Sequence, residues 1–157
     1  MIGWMAILFG AAVIEPAAAN VGSPAANPDC FDALVDAIIV RQTPTVVPEC
    51  GDDCIIMRWP WIVELDVERV IRGKAPSTSL TVLTVQHTYY RTDLGARRWW
   101  LRRNSLGAFN VLSVDDKERL PRCTEGSPPA GPYIQPGNGR TLRDLAREGE
   151  EYYGRQP

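Results

Sequence analysis

The chain has 157 residues, 45% of them hydrophobic and 23% charged, with a formal net charge of −2. That length suits one domain able to bury a core without help from a metal. A balance so close to neutral argues against a dedicated nucleic-acid binder, whose domain carries a strong positive excess.

The first stretch, Met1 to Ala19, holds an apolar run from Ile2 to Ile14, a break at Glu15-Pro16, and then Ala17-Ala18-Ala19. This is the layout of a secretory signal peptide cleaved after a small residue, although no Lys or Arg precedes the run. A membrane span needs about 20 apolar residues, so the run is short for one. The expectation is an exported chain, periplasmic or extracellular, that starts at Asn20 and keeps no stable membrane span. Without Glu15 the tally is 17 basic against 18 acidic residues, a net charge of −1.

Residues 20–29, "NVGSPAANPD", form a small, proline-containing flexible lead. Residues 30–118 carry the pattern of a β-barrel. Ala37 to Val40 is a short apolar run that predicts a buried strand, preceded by a helical turn. In "MRWPWIVELDVERVIRG", Trp61, Val63, Leu65 and Val67 alternate with Ile62, Glu64, Asp66 and Glu68, the period of a half-buried antiparallel strand. The alternation breaks at Glu68-Arg69 and resumes at Val70-Ile71, which predicts a β-bulge and a sharp bend. Straight, Met57 to Ile71 would reach on the order of 50 Å, too long for so small a domain, so the strand must coil. Pro60 cannot donate a ladder hydrogen bond and places the start of this strand at an edge.

After the turn "RGKAPSTS", residues 80–90, "LTVLTVQHTYY", read as a strand, with His87 on one of its faces. In "RRWWLRR" the alternation puts Trp99 and Leu101 inward with Arg97 and Arg103. It leaves Trp100 outward between Arg98 and Arg102. "AFNVLSV" follows, with Phe109, Val111 and Ser113 on one face. Short turns and no helical crossovers describe an all-β sheet closing on itself, a small closed or partly open OB-like Greek-key barrel. Residues 119–140 are too rich in Pro and Gly for regular structure and read as a loop. Residues 141–157 read as a C-terminal helix packing on the barrel. Thr141 and Asp144 form a capping box with Asp in the usual Glu/Gln place, and Leu142, Leu145, Ala146, Gly149 and Tyr153 recur at helical spacing. Gly149 costs about 1 kcal/mol relative to Ala and predicts a frayed last turn.

The four cysteines, Cys30, Cys50, Cys54 and Cys123, all lie in the exported part, and an even count there reads as two disulfides. Three pairings exist. Cys50–Cys54 as a local clip and Cys30–Cys123 as a tie between the domain's ends is the favoured one. The long bridge is worth roughly 4–5 kcal/mol in the loop-entropy model. Cys50, Asp52, Asp53, Cys54 and His87 offer metal ligands as a competing reading. Zinc sites are built from two paired elements, however, and here stand one Cys-x-x-x-Cys and one histidine. No metal or cofactor is expected.

The stretches "DAIIV", "VELDVERVIRG", "LTV" and "LGAFNVL" resemble the strand skeleton of the netrin-like, or tissue-inhibitor-of-metalloproteinases-like, OB-fold domains, over roughly residues 31–114. The resemblance implies a five-stranded Greek-key barrel, secretion and disulfides. Animal inhibitors of this kind open on a cysteine whose amine and carbonyl chelate a protease zinc. The expected first residue here is Asn20, with Cys30 ten positions on, so that inhibition does not carry over.

Motifs for catalysis are absent: no Gly-x-Ser-x-Gly elbow, no phosphate-binding glycine loop, no His-Glu-x-x-His. Cys50 or Cys54 with His87 is the single nucleophile–base pairing on offer, and a hydrolase through Cys54 and His87 has no orienting motif behind it. Asp115-Asp116 and Glu150-Glu151 read as solvated pairs. No catalytic residues are therefore assigned. The leading expectation is a non-enzymatic interaction module whose contact face is Arg98, Trp100 and Arg102. Such a face suits a protein or an anionic glycan or lipid headgroup rather than a nucleic acid. The same arginines could instead be neutralised by Glu64, Asp66 and Glu68, if those strands are neighbours. The alternative function is an inhibitor or accessory subunit of an extracytoplasmic enzyme, acting through the Cys50–Cys54 loop.

Overall fold

The structure, a computed structural model, describes residues 30–47, 55–115 and 120–154. The leader, the whole lead segment and the Cys50–Cys54 loop lie outside the described residues. Five strands and one helix follow in chain order: β1 (Ala33–Pro44), β2 (Trp59–Gly73), β3 (Ser79–Gln86), β4 (Arg97–Arg103), β5 (Phe109–Val114) and α1 (Leu142–Gly154). The strands close into a barrel in the order β1-β2-β3-β5-β4. Neighbours are antiparallel except β3 and β5, which run parallel. With β4 returning beside β1, the spatial order 4-1-2-3 is that of a Greek key, the arrangement of OB-like barrels.

Alternation fills the interior as the sequence predicts for β2 and β4, whereas β1 alternates too, with Ile38 and Val40 exposed, instead of being a wholly buried run. Ala33, Val35 and Ala37 of β1, Trp61, Val63 and Leu65 of β2, Leu80 and Val82 of β3, Trp99 and Leu101 of β4, and Phe109 and Val111 of β5 make one buried cluster. Small residues on β1 face the two tryptophans, so summed volume fits a narrow barrel. Both indoles are satisfied: Trp61 Nε1 donates to the Gln86 carbonyl at 3.2 Å and Trp99 Nε1 to the Ala37 carbonyl at 3.1 Å.

The bend falls where the pattern breaks. Asp36 pairs with Arg69 and Ala37 with Val67, leaving Glu68 as the extra residue; a second shift leaves Ile71 without an opposite number. Gly73 ends the strand at φ +81°, where a Cβ would stand 1.9 Å from the Asp32 carbonyl oxygen. Only glycine allows this approach.

Several expectations need correction. Ala33 begins β1 directly, with no helical turn before the apolar run, because both edges of that segment are taken by neighbouring strands. Pro60 does not mark an edge, since the barrel is closed; it sits at the rim, its carbonyl accepting from the Thr45 amide and hydroxyl. β3 stops at Gln86, so His87 lies in a bend beyond the strand rather than on its face. A bulge at Leu112 pairs Ser113 with Trp100, which puts Ser113 on the outer face, while Val114 packs on the core.

Helix α1 lies across the outside of the barrel, where Ala146 meets Ile62, Leu83 and Ile134. Its capping box forms with Asp in place: the Asp144 amide donates to Thr141 Oγ1 at 3.2 Å, and the Thr141 amide to Asp144 Oδ2 at 2.9 Å. The bonds donated by the Thr141 amide and hydroxyl hold the Asp144 carboxyl below its ordinary range. Gly149 does not fray the end. It is buried, and a Cβ there would stand 2.1 Å from the Pro44 carbonyl oxygen. Helix propensity alone predicts that Gly149→Ala stabilises by about 1 kcal/mol. The contact with Pro44 predicts the opposite, a loss of about 1–3 kcal/mol from overpacking, read as a lower urea midpoint with an unchanged slope.

Candidate functional site

The outer face of β4 holds the three residues singled out above, and the structure does not leave them as an open ladder. Trp100 is 7% exposed, not a projecting indole. Phe31 meets its ring edge-on at 4.7 Å between centroids, and Leu34, Ile71, Leu112 and Leu120 complete a second small core outside the barrel. Arg102 is 6% exposed; its guanidinium donates to Asp32 Oδ2 at 2.6 Å and to the Pro128 carbonyl. Arg98 remains exposed, and its Nε donates to Asp36 Oδ1 at 3.1 Å. The proposed contact face is thus mostly a packed seam. Sequence alternation separates inside from outside of the barrel correctly, but it carries no sign of what covers the outside.

The neutralising acids are also not the expected ones. β4 neighbours β1 and β5, not β2, so Glu64, Asp66 and Glu68 stand away from it. Asp32, Asp36 and Asp115 serve instead. Asp36 takes Arg98 and, at 2.5 Å, Arg69. Asp115 is no merely solvated acid: at φ +57° it accepts the Arg98 amide at 2.8 Å and Arg97 Nε at 2.7 Å. Of the other acidic pair, Glu150 bonds Arg41 at 3.1 Å. The bond from Arg98 holds the Asp36 carboxyl below its ordinary value, with burial opposing. Burial pushes Asp115 up, yet the bonds from the Arg98 amide and the Arg97 side chain bring it below the usual range.

Two open depressions flank the turn between β4 and β5, with Leu106 and Gly107 lining both. The larger, about 1230 Å³, runs over the outer face of β2 and β3. Ile62, Glu64 and Thr81 form its floor, and the first turn of α1 with Arg140, Leu142 and Arg143 its far wall. Arg41 and Glu64 lie 4.0 Å apart across it, and Arg140 pairs with Glu148. Arg143 has no ion-pair partner among the described residues. The smaller depression, about 1050 Å³, lies at the end of the barrel beside the disulfide. Cys30 and Cys123 are bonded there. The pairing Cys30–Cys123 is the one favoured from sequence, and it fits an oxidising compartment. Cys50, Asp52, Asp53 and Cys54 lie outside the described residues. His87 donates or accepts through Nδ1 with the Met57 carbonyl at 2.8 Å and stands edge-on to Trp59.

No described helix is long and apolar enough to cross a membrane. Among the described residues no three of His, Cys, Asp and Glu converge as metal ligands. No family model, curated protein or solved structure matches the chain.

Two outcomes follow from this packing. Trp100→Ala should lower unfolding stability by about 3 kcal/mol or more, as large aromatic deletions in a packed seam do. Arg98→Ala, at a half-exposed pair, should cost less than about 1 kcal/mol; urea melts compare the two. Asp36 and Asp115 have depressed folded values, so their contribution is complete above their ordinary 3.8 and disappears as pH falls through the folded values. Replacing both by Asn should therefore destabilise the protein at pH 7, and the gap from wild type should narrow steadily below pH 4 in melts taken across that range.

Proposed function

We propose that this protein is an exported, non-enzymatic OB-like interaction module that binds a segment of a partner protein in the groove over β2 and β3. The observation that carries the reading is the groove itself: an open depression over the outer face of β2 and β3, walled by the β4–β5 turn and by α1. In OB-folds this face, with the loop between the fourth and fifth strands, is where polymers bind. The barrel interior is filled by Trp61, Trp99 and their neighbours, so a ligand has the outer surface to use. Arg41 and Arg140 are held by Glu150 and Glu148, which leaves Arg143 as the unpaired positive charge on the groove wall among the described residues, and Val40, Leu106 and Leu142 give apolar footing. That combination suits an extended polypeptide with apolar and acidic side chains.

Export rests on the leader pattern of residues 1–19 together with the disulfide chemistry. The netrin-like resemblance rests on strand spacing in the sequence, and a five-stranded Greek-key barrel with a Cys30–Cys123 bond is compatible with it. It brings a scaffold and no inhibitory residue, because the cysteine that would chelate a zinc is not expected at the start of the exported chain. Enzyme inhibition is then one use to which such a groove could be put, through its own contacts.

A photo-crosslinking residue placed at Thr81 or at Leu142 tests the reading in cells. Both positions should yield one and the same protein adduct from the envelope, and the same residue at Arg91, on the 87–96 loop, should yield none. Adding Arg143→Glu should cut the adduct at least tenfold. No adduct at the groove, or equal labelling at Arg91, rejects this surface.

A further inference from the structure

The smaller depression carries a second, independent site. We propose that it binds a tetrahedral dianion, a phosphate or sulfate group, between Lys74, Arg103 and Arg122. All three line the cleft, all are exposed, and none has a carboxylate at ion-pair distance among the described residues. Most other arginines are paired: Arg41, Arg69, Arg91, Arg97, Arg98, Arg102, Arg140 and Arg147 each hold an acid, while Arg58, Arg72 and Arg143 stand singly outside the cleft. A chain that pairs eight arginines and then gathers three unpaired cations in one concavity leaves a local positive field. Low-dielectric walls concentrate such a field on whatever anion enters.

The three cations come from three different segments; Lys74 and Arg103 are keyed to Asp32, and Arg122 to its neighbour Phe31. The Asp32 carbonyl oxygen receives the close approach of Gly73, which sets the direction of Lys74 as the chain leaves β2. Its carboxylate accepts the Arg103 amide at 2.7 Å and the Arg102 guanidinium at 2.6 Å. Either side of Arg122, the Phe31 amide donates to the Pro121 carbonyl at 3.0 Å and the Cys123 amide to the Phe31 carbonyl at 2.8 Å. The disulfide fixes the neighbouring backbone. The cations are therefore held together by rigid backbone, and their mutual repulsion is not relieved by swinging the strands apart.

The charge sum selects the ligand class. Lys74, Arg102, Arg103 and Arg122 face Asp32 and Glu125 across the cleft, a surplus of two positive charges. A dianion balances that surplus. Separate cations drawn from three segments suit a tetrahedral group better than a planar carboxylate, which one arginine can satisfy alone. The Ser105, Thr124 and Ser127 side chains line the same cleft, with the Thr124 and Ser127 hydroxyls 3.0 Å apart, and supply neutral donors. The source of the group is either the free ion or an ester of it.

NMR titration of the disulfide-bonded chain with inorganic phosphate and, separately, with glycerol phosphate tests this. Amide shifts should cluster at residues 103–107 and 122–127. Lys74→Gln and Arg122→Gln should each weaken binding at least threefold and together at least tenfold. Arg58→Gln, at the opposite end of β2, should leave it unchanged. All three substituted side chains are exposed, so melting curves should match wild type. Equal or tighter binding of glycerol phosphate supports an esterified ligand, and exclusion of it supports the free ion. Shifts scattered over the barrel, or a double variant that binds as wild type does, overturn the site. Neither variant touches the β2–β3 groove, so failure here leaves the crosslinking result standing, and the reverse also holds.

Discussion

The architecture depends on five residues that are hydrogen-bonded along both edges. Ala33 to Ala37 pair with Gly73 to Val67 on one side and with Leu101 to Arg97 on the other. A strand in that position is the seam where the sheet meets itself. Closure requires β2 to curl through a large angle while staying in register, and the chain supplies this at Glu68, Ile71 and Gly73, all within six residues. The same seam explains the sizes inside. Alanine at 33 and 37 lets β1 run close to the axis, and the volume it gives up is taken by the indoles of Trp61 and Trp99. Removing the curl would open the barrel between β1 and β4 and expose both tryptophans at once.

Period-two alternation made the barrel legible. Trp61, Val63 and Leu65 read as one face and are one face, and the misfit at Glu68-Arg69 located the first bulge to within a residue. The helix was legible for the same reason, through its cap and its apolar spacing. What alternation cannot encode is which outside surfaces another segment covers. Phe31 lies six residues before the start of the apolar run that drew attention, yet it closes over Trp100. Gly149 misled for a related reason: propensity scales price a glycine against solvent, and this one faces the Pro44 carbonyl. The acids that neutralise β4 were unreadable because partner choice depends on strand order, and order is decided by closure rather than by any local signal.

The run "RRWWLRR" turns out to divide its labour by position. Arg97 and Arg98 are tied at one end by Asp115 and Asp36, Trp99 and Trp100 serve two different cores, and Arg102 is locked beneath Asp32. Only Arg103 is left to the solvent with an unpaired head, and it is the one that opens on the proposed dianion cleft. Asp32 thereby links structure to chemistry. The contacts that fix the turn out of β2 and the end of β4 are the ones that bring unlike segments of positive charge together. The groove over β2 and β3 shares the β4–β5 turn with that cleft, and its other wall, α1, belongs to it alone.

The bond between Cys30 and Cys123 encloses every strand and excludes the helix. The barrel is accordingly a covalent ring. A protease that nicks any connection within it produces two pieces still joined through sulfur, whereas one cut between Thr124 and Thr141 sets the helix free as a separate peptide. Among the described elements, α1, a wall of the groove, is thus the one that a protease could strip away while leaving the sealed body intact.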